Sequence, residues 1–189
     1  GHPSGVSIQQ GPQGAVDGRL AHAMAKRPRW FVNAALRTVK TAFPRLARPD
    51  DMWAEAHLTE EEMTLFAWLP PAERAHGIEV ASRVLSAKPD AEPTLVRAAL
   101  LHDIGKLGSS NNVLLRIAAH LLPQVEVPPE PRRVGLAGVR QARAHHAAYG
   151  AALVLAASGD TEVARLVRTH HEPGTDAGAT LLHECDAIT

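Results

Sequence analysis

The sequence holds one cysteine, Cys185, so no disulfide can form within the chain. That suits a reducing cytoplasm, which is the expected compartment. Aromatic residues make up only 4% of the 189 positions, which disfavours a sandwich or a barrel. No apolar run approaches the roughly 20 residues that cross a bilayer. No polar–apolar alternation marks a strand, and no segment repeats. The formal net charge is +0, so the molecule as a whole is not a polyanion binder. The opening residues show no leader pattern, and a Gly1-His2 start without methionine is expected to be a cloning remnant.

What is present favours packed helices. The 45% hydrophobic content comes mainly from Ala, Leu and Val. Residues 1–18 are rich in Gly, Gln, Pro and Ser and are expected to form a flexible tail. A helical extension is expected over 19–70. Within it Val32, Leu36, Val39 and Phe43 share one face of a basic helix at 29–43. From Gly18 to Pro49 there are eight basic residues and no acid, and Asp50 to Glu62 then holds six acids and no base. The basic helix could touch nucleic acid, a membrane surface or a second copy of the chain. The favoured reading packs its apolar face on the domain and leaves its charges in water. Thr59 and Glu62 form a capping-box pattern for the next helix.

Helices are further expected at 72–87, at 93 to about 103, from Asn111 or Asn112 to Leu122, and at 134–145, 147–157, 161–171 and 178–188. Pro93 suits a first turn, Gly159 a helix end and Asp160 a helix start. The four prolines in 123–131 mark a connection. These elements define an all-α, single-domain helical bundle whose main body is residues 71–189.

The eleven histidines are the odd feature of the composition, and their placement carries the chemistry. His102-Asp103-Ile104-Gly105-Lys106 closes an apolar run from Leu95 to Leu101. Imidazole and carboxylate both ligate divalent metals. An acid at a helix C-terminus opposes the macrodipole, so a cation is a better reason for Asp103 than a helix end. His76 lies 26 residues earlier. His146 begins His-x-x-x-Gly-Ala and is expected to open a helix, and His170-His171-Glu172 ends the next one. Asp186 follows the apolar residues Leu181, Leu182 and Cys185, in a helix where an unpaired carboxylate would be costly.

Taken singly, each of these residues has an ordinary explanation. His76 alone would be a half-buried helix residue, Lys106 a solvated one and Cys185 a small core residue. His145 competes with His146, but His146 carries the spacing, which leaves His145 beside the site or at the surface. His2, His22, His57, His120 and His183 have no supporting spacing.

The ordered set resembles the HD-domain superfamily of metal-dependent phosphohydrolases, and its HDIG form in particular. The resemblance spans residues 72–187. The segments at His146 and His170 are similar to those of the cyclic-dinucleotide phosphodiesterase branch and of small bacterial nucleotide hydrolases. Pro173-Gly174-Thr175 stands where that branch carries Gly-Tyr-Pro, which argues against its substrate. Glu79 stands where several nucleotidases carry an arginine, with Arg83 a turn further on.

The resemblance implies a division of ligands. His76, His102, Asp103 and Asp186 would hold one divalent transition metal. Asp103 would bridge to a second held by His146, His170 and His171; a mononuclear site would drop His171 first. Mixed N/O ligation suits Mn, Fe, Co, Ni or Zn better than Mg. Two such cations clamp a phosphate and activate a water near neutral pH. Asp103 and Lys106 would be the catalytic groups, with Lys106 meeting a phosphoryl oxygen. Arg143, in an acid-free cluster with Arg132, Arg133 and Arg140, would draw in an anionic substrate. The expected activity is hydrolysis of a small phosphorylated substrate such as a nucleotide. The alternatives are di-iron oxygenase or zinc hydratase and lyase chemistry on the same fold, or a nucleotide sensor without catalysis.

Overall fold

A computed structural model of the chain describes residues 48–109, 115, 118–119 and 126–189. The expected tail at 1–18, the basic helix at 29–43 and most of the expected 111–122 helix lie outside the described residues. The described residues form α1 (Asp51–Glu55), α2 (Glu60–Ala67), α3 (Pro71–Ala87) and α4 (Pro93–Leu101). A 3-10 turn (Ile104–Lys106) leads towards α5 (Gly135–Ser158), α6 (Thr161–Thr169) and α7 (Ala177–Ala187). The described residues contain no strand, so the all-α expectation holds.

The local signals act as the sequence predicts. The Thr59 side chain accepts from the Glu62 amide while Glu62 reaches back to the Thr59 amide, closing the capping box on α2. Asp160 accepts from the amides of Glu162 and Val163 and starts α6. Gly159 ends α5 at φ 69°, a left-handed conformation that favours glycine.

One expectation fails. Residues 134–145 and 147–157 are not two helices but the single α5. Nothing between Ala144 and Ala148 breaks a helix, because no Pro, Gly or capping side chain interrupts the run. His146 therefore sits in mid-helix rather than at an N-terminus. α6 also stops earlier than 171, so His170 caps it and His171 lies in the turn beyond.

α4 is the axis of the bundle. Leu95, Val96, Ala98, Ala99, Leu100 and Leu101 are all buried, because α3, α6, α7 and α2 all pack against it. A helix that is apolar on most of its surface, with Arg97 as its one charge, belongs at the centre of a fold. Its last turn delivers His102 and Asp103 into the interior. α2 belongs to the same core through Leu65 and Phe66. Its Glu62 is fully buried and paired with Arg97 of α4, whose Nε donates to Glu62 Oε2 at 2.7 Å. The same guanidinium donates to Asp160 Oδ2 at 3.0 Å, and Ser158 Oγ donates to Glu62 Oε1 at 3.2 Å.

Two glycines set how closely the helices approach. A Cβ at Gly77 would lie 2.7 Å from the Leu100 carbonyl oxygen, which lets α3 press on α4 beside His76. A Cβ at Gly105 would lie 1.9 Å from the His146 carbonyl oxygen and 2.5 Å from the Gly150 nitrogen. The 3-10 turn thus lies against the backbone of α5 at the two residues of the His-x-x-x-Gly pattern.

Candidate metal centre

The approach of α3, α4, α5, α6 and α7 brings all seven predicted ligands together. His76 Nε2 lies 3.0 Å from Asp186 Oδ1 and 3.9 Å from Asp103 Oδ2. His102 Nε2 lies 3.5 Å from each of those two oxygens. The other oxygen of Asp103, Oδ1, lies 3.5 Å from His146 Nε2. His171 Nε2 is 2.9 Å from His146 Nε2, and the His170 ring stacks on the His171 ring with centroids 3.9 Å apart. Two groups emerge whose ligand atoms lie within 4.8 Å of one another: His76, His102 and Asp103, and His146, His170 and His171. Asp103 faces both, one oxygen to each. Its backbone at φ −97°, ψ 5° lies in the sparsely populated bridge region.

Backbone carbonyls orient three of the imidazoles. His102 Nδ1 donates to the Ala99 carbonyl at 2.8 Å, His146 Nδ1 to Ala142 at 3.0 Å and His170 Nδ1 to Val167 at 2.6 Å. A carbonyl only accepts, so Nδ1 carries the proton and, in the neutral ring, the lone pair sits on Nε2. The Nε2 atoms of His102 and His170 are buried and have no hydrogen-bond partner among the described residues. A buried polar atom without a partner costs about 1–3 kcal/mol. A cation supplies what the His170 lone pair lacks and can take the place of the proton that Asp103 and Asp186 favour on His102, so the residues fit a divalent metal. The C-terminal end of α4 adds partial negative charge on the same side.

The electrostatics divide in the same way. Burial pushes His146 down to about 4 and His170 down to about 3, and it also lowers His171. These rings are neutral at pH 7, the form that ligates. Burial also opposes charge on His102, but Asp103 and Asp186 outweigh it and raise it to about 9. Burial works against ionising Asp103, yet Lys106 and the surrounding imidazoles hold it well below the usual carboxylate range. Asp186 is likewise lowered against burial by His102 and His76.

This arrangement matches a known family over residues 72–189, the HD domain. The chain belongs to the HD domain family. No curated protein and no solved structure matches it. HD domains form a superfamily of metal-dependent hydrolases, and the buried histidine and aspartate groups of this one can hold a metal. No helix among its described residues is long and apolar enough to cross a membrane.

The remaining predicted residues divide. Lys106 is in place, its ammonium donating to Asp103 Oδ2. Arg143 is exposed and donates one N–H to the Ala119 carbonyl at 3.1 Å. His145 turns away and bonds the Val127 carbonyl. His183 donates to the His170 carbonyl at 2.9 Å and helps fix the turn that carries two ligands.

Two features of this HD domain escaped the sequence reading. Glu73, one turn before His76 on α3, is buried with Oε2 4.0 Å from the Lys106 ammonium. Its offset of three residues from His76 was the available signal. The second is the proline-rich segment before α5. Gln141 accepts from the Arg133 amide and donates to the carbonyls of Pro128, Pro129 and Pro131. Tyr149 donates to Pro129, while Arg132 lies over the Tyr149 ring at 3.9 Å and donates to Leu107 at 2.6 Å. That segment is a fixed wall next to the turn bearing Lys106.

Proposed function

We propose that this HD domain is a metal-dependent phosphohydrolase that cleaves a phosphomonoester or phosphodiester bond in a small substrate such as a nucleotide. The observation that carries the reading is Asp103. Its two oxygens face two separate groups of imidazoles, and Lys106 lies against it. His76, His102, Asp103 and Asp186 would hold one divalent cation, and His146, His170 and His171, sharing Asp103, a second. Bound there, the metal supplies a Lewis acid that lowers the pKa of water towards neutrality and stabilises phosphoryl charge.

The chain's own groups do the rest. Nδ1 anchoring to backbone carbonyls holds the imidazoles in position before any ligand arrives, so little reorganisation is needed. Lys106, half-exposed on the site's edge, offers its ammonium to a phosphoryl oxygen as negative charge builds there. Glu73 stands on the other side of that ammonium. The 126–133 wall, with the Arg132 guanidinium on the Tyr149 ring and bonded to the Leu107 carbonyl, would bound the substrate on the Lys106 side.

A panel of nucleoside mono-, di- and cyclic phosphates, assayed with Mn, Ni, Co and Mg, tests the proposal. Release of phosphate or of a phosphomonoester that depends on added metal, and is lost in His102→Ala and Asp103→Ala, is the expected result. Metal-loaded protein inert towards every phosphate ester would overturn it.

A further inference from the structure

We infer that the two halves of the centre fill in order, and that the second takes its cation only together with a phosphate dianion. The inference rests on the two-cation reading above and concerns how the site assembles.

The first half contains two carboxylates, Asp103 and Asp186, with the imidazoles of His76 and His102. Lys106 donates to Asp103 Oδ2 and stands 4.0 Å from Glu73, so its one positive charge offsets one of the three neighbouring carboxylates. Two negative charges remain, which match one divalent cation. Among the described residues, the second half contains three imidazoles and no carboxylate of its own. The one anionic atom it can use is Asp103 Oδ1, 3.5 Å from His146 Nε2, and that carboxylate is already counted in the first half.

A second divalent cation therefore brings two positive charges with nothing to balance them. His146 and His170 are buried, so the cost is not relieved by bulk water. The surroundings do not supply the balance either. Glu172 is exposed to solvent. Lys106 lies against Asp103, so its positive charge weakens what that carboxylate offers the second half. His146 lies in mid-helix, far from either pole of α5. The C-terminus of α6 contributes about half an elementary negative charge, well short of two. His171 is exposed, so the second half opens to solvent and an anion can reach it.

A phosphate dianion carries the missing charge. Phosphate and the second cation must then bind cooperatively, and linkage makes the effect reciprocal. Where no phosphate ester is present, the centre rests with one cation.

Titration with Mn(II), read by calorimetry and by electron paramagnetic resonance, tests this on the wild-type chain. The expected result is one Mn(II) per chain in phosphate-free buffer. With inorganic phosphate in millimolar excess a second binds, with a spin-coupled signal and an affinity raised about tenfold or more. His171→Asp, which places a carboxylate in the second half, should bind two Mn(II) without phosphate. Two equivalents in wild type without phosphate, or one under both conditions, would overturn the ordering while leaving the metal centre intact. No Mn(II) binding under any condition would overturn the centre itself.

Discussion

The two halves of the centre are held by different means. In the carboxylate half, acid side chains help orient the ligands: Asp186 receives His76 at 3.0 Å, and His102, also held by the Ala99 carbonyl, lies 3.5 Å from both acids. In the imidazole half, the main chain does so, through the carbonyls of Ala142 and Val167. The first half is defined by charge and attracts a cation from a distance. The second is defined by the direction of lone pairs and holds a cation only once it has arrived. The contrast teaches that identical ligand types in one pocket need not be equivalent sites.

Asp103 is the one group both halves share, so its removal should have the largest effect. Asp103→Ala is expected to lose both equivalents of metal that wild type holds in the presence of phosphate and to lower turnover by on the order of 10³-fold. Metal analysis of the purified variant checks this, and retention of two metals would show that the halves are independent. Gly105→Ala should come next. Its new Cβ would meet the His146 carbonyl oxygen at 1.9 Å and force the halves apart. A loss of about 1–3 kcal/mol in urea unfolding is expected, together with loss of the second equivalent. A variant of unchanged stability would mean that the turn and α5 adjust freely.

Lys106→Met should leave metal content unchanged and reduce turnover on the order of 10²-fold. Falling metal content would place Lys106 with the ligands rather than with the substrate. His171→Ala is the mildest of the four, because the residue is exposed and bound at the edge of its half. Roughly tenfold weaker binding of the second equivalent is expected, with the first untouched. If the first weakens as well, the division into halves fails.

The seven residues that the fold gathers were legible as a set because their order along the chain is a one-dimensional signal, with Gly105 and Gly150 marking two of the segments. The capping box at Thr59 and the N-cap at Asp160 were legible for the same local reason. The continuity of α5 was misread because a histidine pair at a functional motif looks like a boundary, whereas helix propagation needs only the absence of a breaker. Glu73 and Gln141 were missed because neither has a local signature. Glu73 acquires its place from Lys106, 33 positions away, and Gln141 from a proline segment about ten residues upstream. Arg143 was assigned by charge alone, and its bond to the Ala119 carbonyl, 24 positions away, had no local signature.

The Glu62–Arg97–Asp160 cluster bears on where the chain can be cut. The family match begins at residue 72, yet Glu62 is fully buried and supplies both oxygens that receive Arg97. A chain trimmed to start at Pro71 would keep every metal ligand and lose Leu65, Phe66 and Leu69 from the core. Arg97 would keep only Asp160, and removing one partner of a buried pair costs about 3–5 kcal/mol. A domain's recognisable signature and its autonomous unit of folding then have different first residues. Shortened versions prepared for metal titration should therefore begin before α1.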